Sequence, residues 1–298
     1  MHKYTYLMLG PAVIWVLIFC YAPMIGLYMA FVNFKPKLGD FWHNLFTSDF
    51  VGMQWLKYFF AGNDFAIVMR NTLVSSTLTL ILGFIAPVTI AILLNEVKNI
   101  KFKKVVQTAS YLPYFVSWVI AANIITTLLS SSGAINQILV WLKLVKEPVL
   151  FLQEGKYFWI IIALANTWKD MGYNSIIYLS AITSINPSLF EAAKVDGANR
   201  WQQIRYVLLP GIKPTVVVML ILSVGNLLNT GFDQFFLLGN STTRAFSDVI
   251  DTYAYRYGIQ NVMFSYASAV SLFKSVVAFI LVFIVNKIAK KTENSYLF

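Results

Sequence analysis

Polar side chains recur at helical spacing inside three apolar stretches of the sequence. Because such groups are costly within a bilayer, those present usually face a water-filled path or a partner helix. Amides and hydroxyls hydrogen-bond to sugars, aromatic rings stack on them, and lysines attract acidic groups. The candidate path residues are Asn166, Lys169, Asp170, Tyr173, Asn174, Asn226, Asn229, Asp233 and Lys274.

Two roles remain open for these residues. Lys169 and Lys274 could attract an acidic glycan, or Lys169 could pair with other groups and hold helices together, as could the asparagines. An uncharged cargo fits the polar stripes equally well. The sequence therefore predicts a lined cavity, without deciding which individual residue lines it.

Residue patterns that carry catalysis or bind a metal are absent from the sequence. The two histidines, His2 and His43, lie far apart with no cysteine pair beside them, and the single Cys20 excludes an internal disulfide. No phosphate-binding G-x-x-x-x-G-K-[ST] loop and no nucleophile elbow occurs. We expect no catalytic residue, no metal and no cofactor bound by this chain.

The composition indicates where the polar stripes must lie. Hydrophobic residues make up 58% of the chain and charged residues 12%, against roughly 45–50% and about 25% in a soluble domain. The formal net charge is +10, but the basic residues fall mainly in short loops, which suits lipid headgroups better than nucleic acid. The sequence thus predicts an integral membrane protein that binds no nucleic acid.

Six long apolar stretches predict an all-α, polytopic membrane protein with six transmembrane helices. A barrel is disfavoured because the stretches are continuously apolar instead of alternating. The first stretch exceeds the core of a secretory signal and lacks a small-x-small cleavage site. The predicted spans are about 7–31, 72–94, 105–129, 157–182, 212–232 and 263–286, within a single membrane domain over 1–298, with an outer loop at 33–71.

The basic residues predict the orientation of these spans. On the side that carries both termini, 12 Lys and Arg fall in 58 residues, whereas the opposite loops hold 9 in 90. Lys and Arg are enriched in cytoplasmic loops. Both termini are therefore predicted to be cytoplasmic, as is the loop at 184–211. Short interfacial helices and a folded cap are both open for the aromatic-rich outer loop.

The loop at 184–211 contains a short helix with clear start and stop signals. Asn186 can cap free amides, Pro187 suits the first helical position, and Gly197 can take the left-handed conformation that ends a helix. Apolar residues form one broad face, and Glu191 and Lys194 lie together on the other side. Such a helix needs a partner surface or a bilayer to cover it.

This loop resembles the "EAA, G, I-x-LP" loop of permease subunits in ATP-binding cassette (ABC) importers. Glu191-Ala192-Ala193 is followed after three residues by Gly197, and after nine more by Val207-Leu208-Leu209-Pro210, with Val207 where isoleucine is usual. The resemblance implies the type I ABC importer permease fold and a coupling helix at 189–197 that docks on an ATP-hydrolysing subunit. The implied coupling residues are Leu189, Phe190, Glu191, Ala192, Ala193, Lys194, Asp196, Gly197 and Pro210.

Further motifs resemble the carbohydrate-uptake permeases within that family. They are Arg70-Asn71-Thr72-Leu73 and the run 166–172, while 248–253 and Phe273-Lys274-Ser275 resemble the LplB branch, which includes alginate and other polysaccharide importers. The resemblance implies an oligosaccharide or polysaccharide cargo and a location in the bacterial cell membrane.

The implied partners are a second, unlike permease chain in a heterodimer, two ATPase subunits that bind ATP and Mg, and an extracellular solute-binding protein. Three alternatives remain. A peptide or amino-acid importer would share the loop, an ion-coupled secondary transporter would not need it, and a membrane-anchored scaffold would leave the polar stripes without a purpose.

Overall fold

The computed structural model describes residues 2–37 and 39–293, and its regular structure is helical apart from one isolated bridge between Val32 and Phe50. The α-helices of this part of the chain are α1 (His2–Val16), α2 (Phe41–Phe46), α3 (Gln54–Ala61), α4 (Asp64–Glu96), α5 (Ile100–Phe115), α6 (Trp118–Leu129), α7 (Ala134–Trp141), α8 (Gly155–Thr183), α9 (Pro187–Val195), α10 (Arg200–Gln203), α11 (Leu209–Gly225), α12 (Asp233–Leu238), α13 (Arg244–Ser247), α14 (Ile250–Tyr255) and α15 (Phe264–Glu293). The predicted all-α fold class is confirmed.

Five helical stretches within the described residues are long and apolar enough to cross a membrane. They are Tyr6–Phe31, Asp64–Glu96, Trp118–Trp141, Arg200–Gly225 and Phe264–Lys291. The 29 residues of α8 extend about 44 Å, which also exceeds the ~30 Å hydrocarbon core of a bilayer. α8 differs from the five more apolar stretches by its polar stripe, which includes Lys169 and Asp170. One of the six predicted spans, 157–182, lies within α8.

Two of the predicted spans are interrupted in the structure. The range 105–129 was predicted as one helix, but α5 ends at Phe115 and α6 begins at Trp118. Pro113 cannot donate a backbone hydrogen bond, and the side chain of Ser117 accepts one from the amide of Ile120, which starts the new helix. The range 212–232 is helical only to Gly225, and α12 begins at Asp233.

One compact unit lies within Met1–Val68 and Ile250–Val276. The predicted outer loop contributes the short helices α2 and α3 to it, and the Trp55 indole donates a hydrogen bond to the Val32 carbonyl. Phe59 is fully buried among aromatic rings that include Tyr253 and Tyr266. The two tyrosine hydroxyls lie 2.7 Å apart, and burial raises the pKa of Tyr253, so its hydroxyl stays neutral.

The other compact unit lies within Met69–Val249 and Val277–Phe298. It contains two apolar clusters. The first consists of Ala122, Phe158, Ile162, Phe235, Leu238 and Val249. The second, here called the inner cluster, consists of Ala91, Tyr178, Ile182, Leu208 and Ile212. It joins α4, α8 and α11 with the short π-helix Ile204–Leu208. The two cavities described below are lined by residues of this unit.

Candidate functional site

The helix predicted in the loop at 184–211 is present as α9. Its start is capped by Asn186, whose side-chain oxygen accepts a hydrogen bond from the Ser188 amide at 3.1 Å. Its end is formed by Gly197, which has a φ of +79°. The amide of Ala198 then donates to the carbonyl of Ala193 at 2.9 Å. These are the bonds of a glycine-terminated helix, and a Cβ at Gly197 would contact nothing within 4 Å. Glycine is therefore required there for its backbone conformation.

The side chains of α9 divide by exposure. Leu189 and Val195 are 54% and 88% exposed. Phe190 is half-buried and packs against the inner cluster. Ala193 is also half-buried, and the remaining predicted coupling residues are exposed, namely Glu191, Ala192, Lys194, Asp196, Gly197 and Pro210. The helix thus presents a mixed apolar and charged face that is available to a partner.

A cavity of about 370 Å³ lies beside α9. Its charged lining residues are Glu96, Glu191, Lys194 and Arg200. The Arg200 guanidinium lies 3.6 Å from the Glu96 carboxylate, which links the end of α4 to α10. The segment that carries Arg200 is further fixed by a reciprocal capping box between Asn199 and Gln202. The segment that follows α9 is therefore held in place.

A second cavity, of about 440 Å³, is lined by ten amide and hydroxyl side chains together with apolar ones. Five of the predicted path residues line it, namely Asn166, Asp170, Asn174, Asn226 and Asn229. The cavity is also lined by four hydroxyl side chains that were not predicted as path residues, namely Ser75, Ser76, Thr79 and Thr167. The sequence signal for them was weak, a pair of adjacent serines in an otherwise apolar span. We call this space the polar cavity.

Hydrogen bonds order one wall of the polar cavity. The Asn166 carboxamide oxygen accepts from the side chain of Gln234 at 3.3 Å, and its nitrogen lies 3.5 Å from the Thr79 hydroxyl. Within the part of the chain that the structure describes, the hydroxyls of Ser75, Ser76 and Thr230 are buried and have no hydrogen-bond partner. The wall of the cavity therefore combines ordered amides with enclosed hydroxyls.

Lys169 lies on α8 but is not among the residues that line the polar cavity. It is buried, and its Nζ donates to the carbonyls of Tyr114 at 2.6 Å and Pro113 at 3.3 Å. The ammonium also lies over the rings of Tyr114 and Trp118, at 5.5 and 5.8 Å from their centroids. A cation at the last carbonyls of a helix is favourable. Lys169 therefore caps the end of α5 in this structure.

The other predicted path residues lie outside the polar cavity lining. Tyr173 stacks on Tyr114, with ring centroids 4.0 Å apart. Asp233 is exposed at the first position of α12, where a carboxylate suits the helix dipole. In the unit that contains residues 250–276, Lys274 forms an ion pair with Asp251.

Arg70 and Asn71, which the sequence interpretation noted only as part of a motif, hold the segment after α12. The Arg70 guanidinium donates to the Ala245 carbonyl at 2.7 Å and lies 5.3 and 5.2 Å from the ring centroids of Trp159 and Phe246. The Asn71 amide donates to the carbonyls of Ala245 and Asp248. These contacts indicate a structural role.

Among the residues that the structure describes, no cluster of three His, Cys, Asp or Glu side chains is arranged to hold a metal.

The chain is similar to known permeases over nearly its whole length. Protein LplB of Bacillus subtilis (strain 168) is 40% identical over 297 residues, which cover 99% of this chain and 91% of LplB. The polygalacturonan/rhamnogalacturonan transport system permease protein YteP of the same strain is 41% identical over 290 residues, which cover 97% of this chain and 88% of YteP.

A solved structure has the same fold. It is the crystal structure of a bacterial alginate ABC transporter in complex with an alginate pentasaccharide-bound periplasmic protein. The superposition gives a TM-score of 0.88 at 40% identity, over 99% of this chain and 96% of the matched chain. Residues 83–294 match the family described as binding-protein-dependent transport system inner membrane component. This chain therefore belongs to the family of inner membrane permease components of binding-protein-dependent ABC transport systems.

Proposed function

We propose that this permease forms a path for an oligosaccharide or polysaccharide across the bacterial cell membrane, driven by ATP hydrolysis on partner subunits. The observation that carries the proposal is the polar cavity, whose amides and hydroxyls supply both donors and acceptors. Sugar rings present many hydroxyls and require both kinds of partner. The cavity volume of about 440 Å³ also lies in the range of small-molecule sites.

The accessible amides of the cavity favour a hydrogen-bonding cargo over an apolar one. Asn226 and Asn229 are exposed and Asn174 is half-buried, so these lining side chains can reach a solute. A sugar can replace water at such amides with little change in hydrogen bonding.

The cargo class is supported by the relatives. YteP is named for polygalacturonan and rhamnogalacturonan transport, and the matched crystal structure is of an alginate transporter. Both cargoes are polysaccharides, and both relatives are about 40% identical to this chain over nearly its full length. We therefore favour a glycan over the alternative of a peptide or amino acid.

We further propose that α9 is the coupling helix. Its exposed Leu189, Glu191 and Lys194 supply apolar and charged contacts for an ATPase subunit. The chain would be no enzyme itself, and ATP and Mg would be held by two partner ATPases. A second, unlike permease and an extracellular solute-binding protein would complete the importer. Both termini and α9 would face the cytoplasm.

Uptake by the assembled complex tests the cargo. The chain is purified with the subunits that accompany it in its own membrane, reconstituted in vesicles, and supplied with labelled glycans or peptides, with and without ATP. We expect glycan uptake that requires ATP. Asn166→Leu should lower it several-fold because the variant loses a cavity amide. Asn261→Leu, the same change at an exposed residue, serves as the control. Uptake of peptides alone, or uptake driven by an ion gradient without ATP, would contradict the proposal.

Labelling tests the orientation of α9. In a Cys20→Ser background, Lys194→Cys places a thiol on the exposed face of this helix. A membrane-impermeant maleimide should label it in inside-out vesicles and leave it unlabelled in intact cells. Labelling from outside intact cells would refute a cytoplasmic α9.

A further inference from the structure

The largest half-buried side chain of α9 is that of Phe190. Phe190 packs against the inner cluster, whereas its neighbour Leu189 is 54% exposed. The cluster contains Ala91 of α4 and Ile212 of α11. Tyr178 and Ile182 add two residues of α8. A single ring of α9 therefore contacts a core shared by three long helices.

A second apolar contact lies just before α9. Ile185 also packs against the inner cluster, and its side chain occupies the space that a Cβ on Gly211 would need. This close approach fixes the chain entering α9 against the start of α11. On the other side of α9, the link between Arg200 and Glu96 is an ion pair with partly exposed side chains. Exposed pairs contribute little, so the apolar contacts dominate the attachment of α9.

We infer that Phe190 is the positioning residue that joins the coupling helix to α4, α8 and α11. This inference rests on the proposed function of α9. Packed cores transmit displacement because their side chains interdigitate with few voids. A displacement of α9 by an ATPase subunit is thus passed through the ring of Phe190 to the inner cluster. Leu189 and Val195, which are exposed, contact the ATPase instead.

The test compares substitutions at the two neighbouring positions in the purified complex with its ATPase subunits. Three quantities are measured: the amount of ATPase subunit retained, the rate of ATP hydrolysis, and the uptake of labelled glycan per ATP hydrolysed. Phe190→Ala removes the ring and leaves a void in the contact. We expect uptake per ATP to fall about tenfold, which is within the range by which a residue that carries coupling alters it. Phe190→Leu refills most of the void and should restore uptake per ATP to within about threefold of the wild-type value.

Leu189→Ala is the matched control. It removes an apolar side chain of the same helix from the exposed face, and should lower the amount of retained ATPase subunit. If Phe190→Ala does not fold and insert in the membrane, Phe190→Val is measured by the same criteria. A loss of stability alone would lower the amount of complex without changing the ratio of uptake to hydrolysis.

Three results would overturn the inference. One is an unchanged ratio in Phe190→Ala, or in Phe190→Val if that variant replaces it. Another is loss of the ATPase subunit from Phe190→Ala but not from Leu189→Ala, which would place the ring at the ATPase interface. The third is failure of Phe190→Leu to restore coupling. The proposed function fails separately, if the wild-type complex retains no ATPase subunit or shows no uptake with ATP.

Discussion

Lys169 offers a direct test of the difference between attraction of cargo and support of the fold. The sequence left both roles open, and the structure places its ammonium on the carbonyls of Tyr114 and Pro113. Lys169→Met keeps most of the length and volume of the side chain but removes the charge and all donors. We expect this variant to be less stable than the wild type and to lose uptake of acidic and neutral glycans in the same proportion.

The expected size of the effect follows from the two hydrogen bonds. In membrane proteins such bonds contribute roughly 0.6 to 1.7 kcal/mol each, so the loss of both costs about 1–3 kcal/mol. Removing a buried charge relieves part of its desolvation, which keeps the cost within this range. For a chain of this size the change corresponds to a fall of roughly 2–10 °C in the midpoint of thermal unfolding.

The assay pairs thermal unfolding in detergent with uptake of one acidic and one neutral glycan by the reconstituted complex. Lys156→Met is the matched control, because Lys156 is at the start of the same helix, is exposed, and forms an ion pair with Glu154. Its unfolding midpoint should match that of the wild type. If Lys169→Met keeps wild-type stability and selectively loses uptake of the acidic glycan, Lys169 attracts cargo and the capping interpretation is refuted.

Two glycines give further predictions. Gly172→Ala should destabilise the protein by about 1–3 kcal/mol, measured by thermal unfolding, because the new Cβ would overlap the carbonyl of Ser110 and force α5 away from α8. Unchanged stability would show that the two helices separate freely. Gly197→Val should lower ATP-driven uptake more than Gly197→Asn, because asparagine tolerates the left-handed backbone conformation at φ +79° and valine does not. Equal uptake in the two variants would exclude backbone conformation as the reason for glycine there.

The features that were predictable from the sequence are those set by local chemistry or by solvent. Several apolar runs of about 20 residues cannot all be buried inside a soluble domain, so the all-α membrane fold follows from composition. The helix α9 was likewise predictable, since Asn186, Pro187 and Gly197 define its ends with residues close in sequence. The break between Phe115 and Trp118 was not predictable from hydropathy, because Pro113 and Ser117 act on backbone hydrogen bonds and barely change the apolar average.

The cavity was only partly predictable, because periodicity identifies a face of a helix but not its neighbour. Lys169 and Asp170 are adjacent in sequence and lie about 100° apart around a helix. Asp170 lines the polar cavity, whereas Lys169 turns toward α5. Ser75 and Ser76 were missed for a different reason. Hydroxyls in membrane helices often bond to their own backbone, so serine in a span carries little information until its lack of a partner is seen.

The positions of the charges bear on how an importer of this kind could select an acidic glycan. Asp170 lines the polar cavity, and no basic residue is among its lining residues in the described structure. The ammonium of Lys169 is bound to two carbonyls, and that of Lys274 is paired with Asp251. A cation with such partners attracts an additional anion less than a free one, since its field is partly neutralised. On the proposed function, a preference for acidic cargo would come from the second permease or the solute-binding protein, and the amides of this cavity would bond the hydroxyls of the glycan.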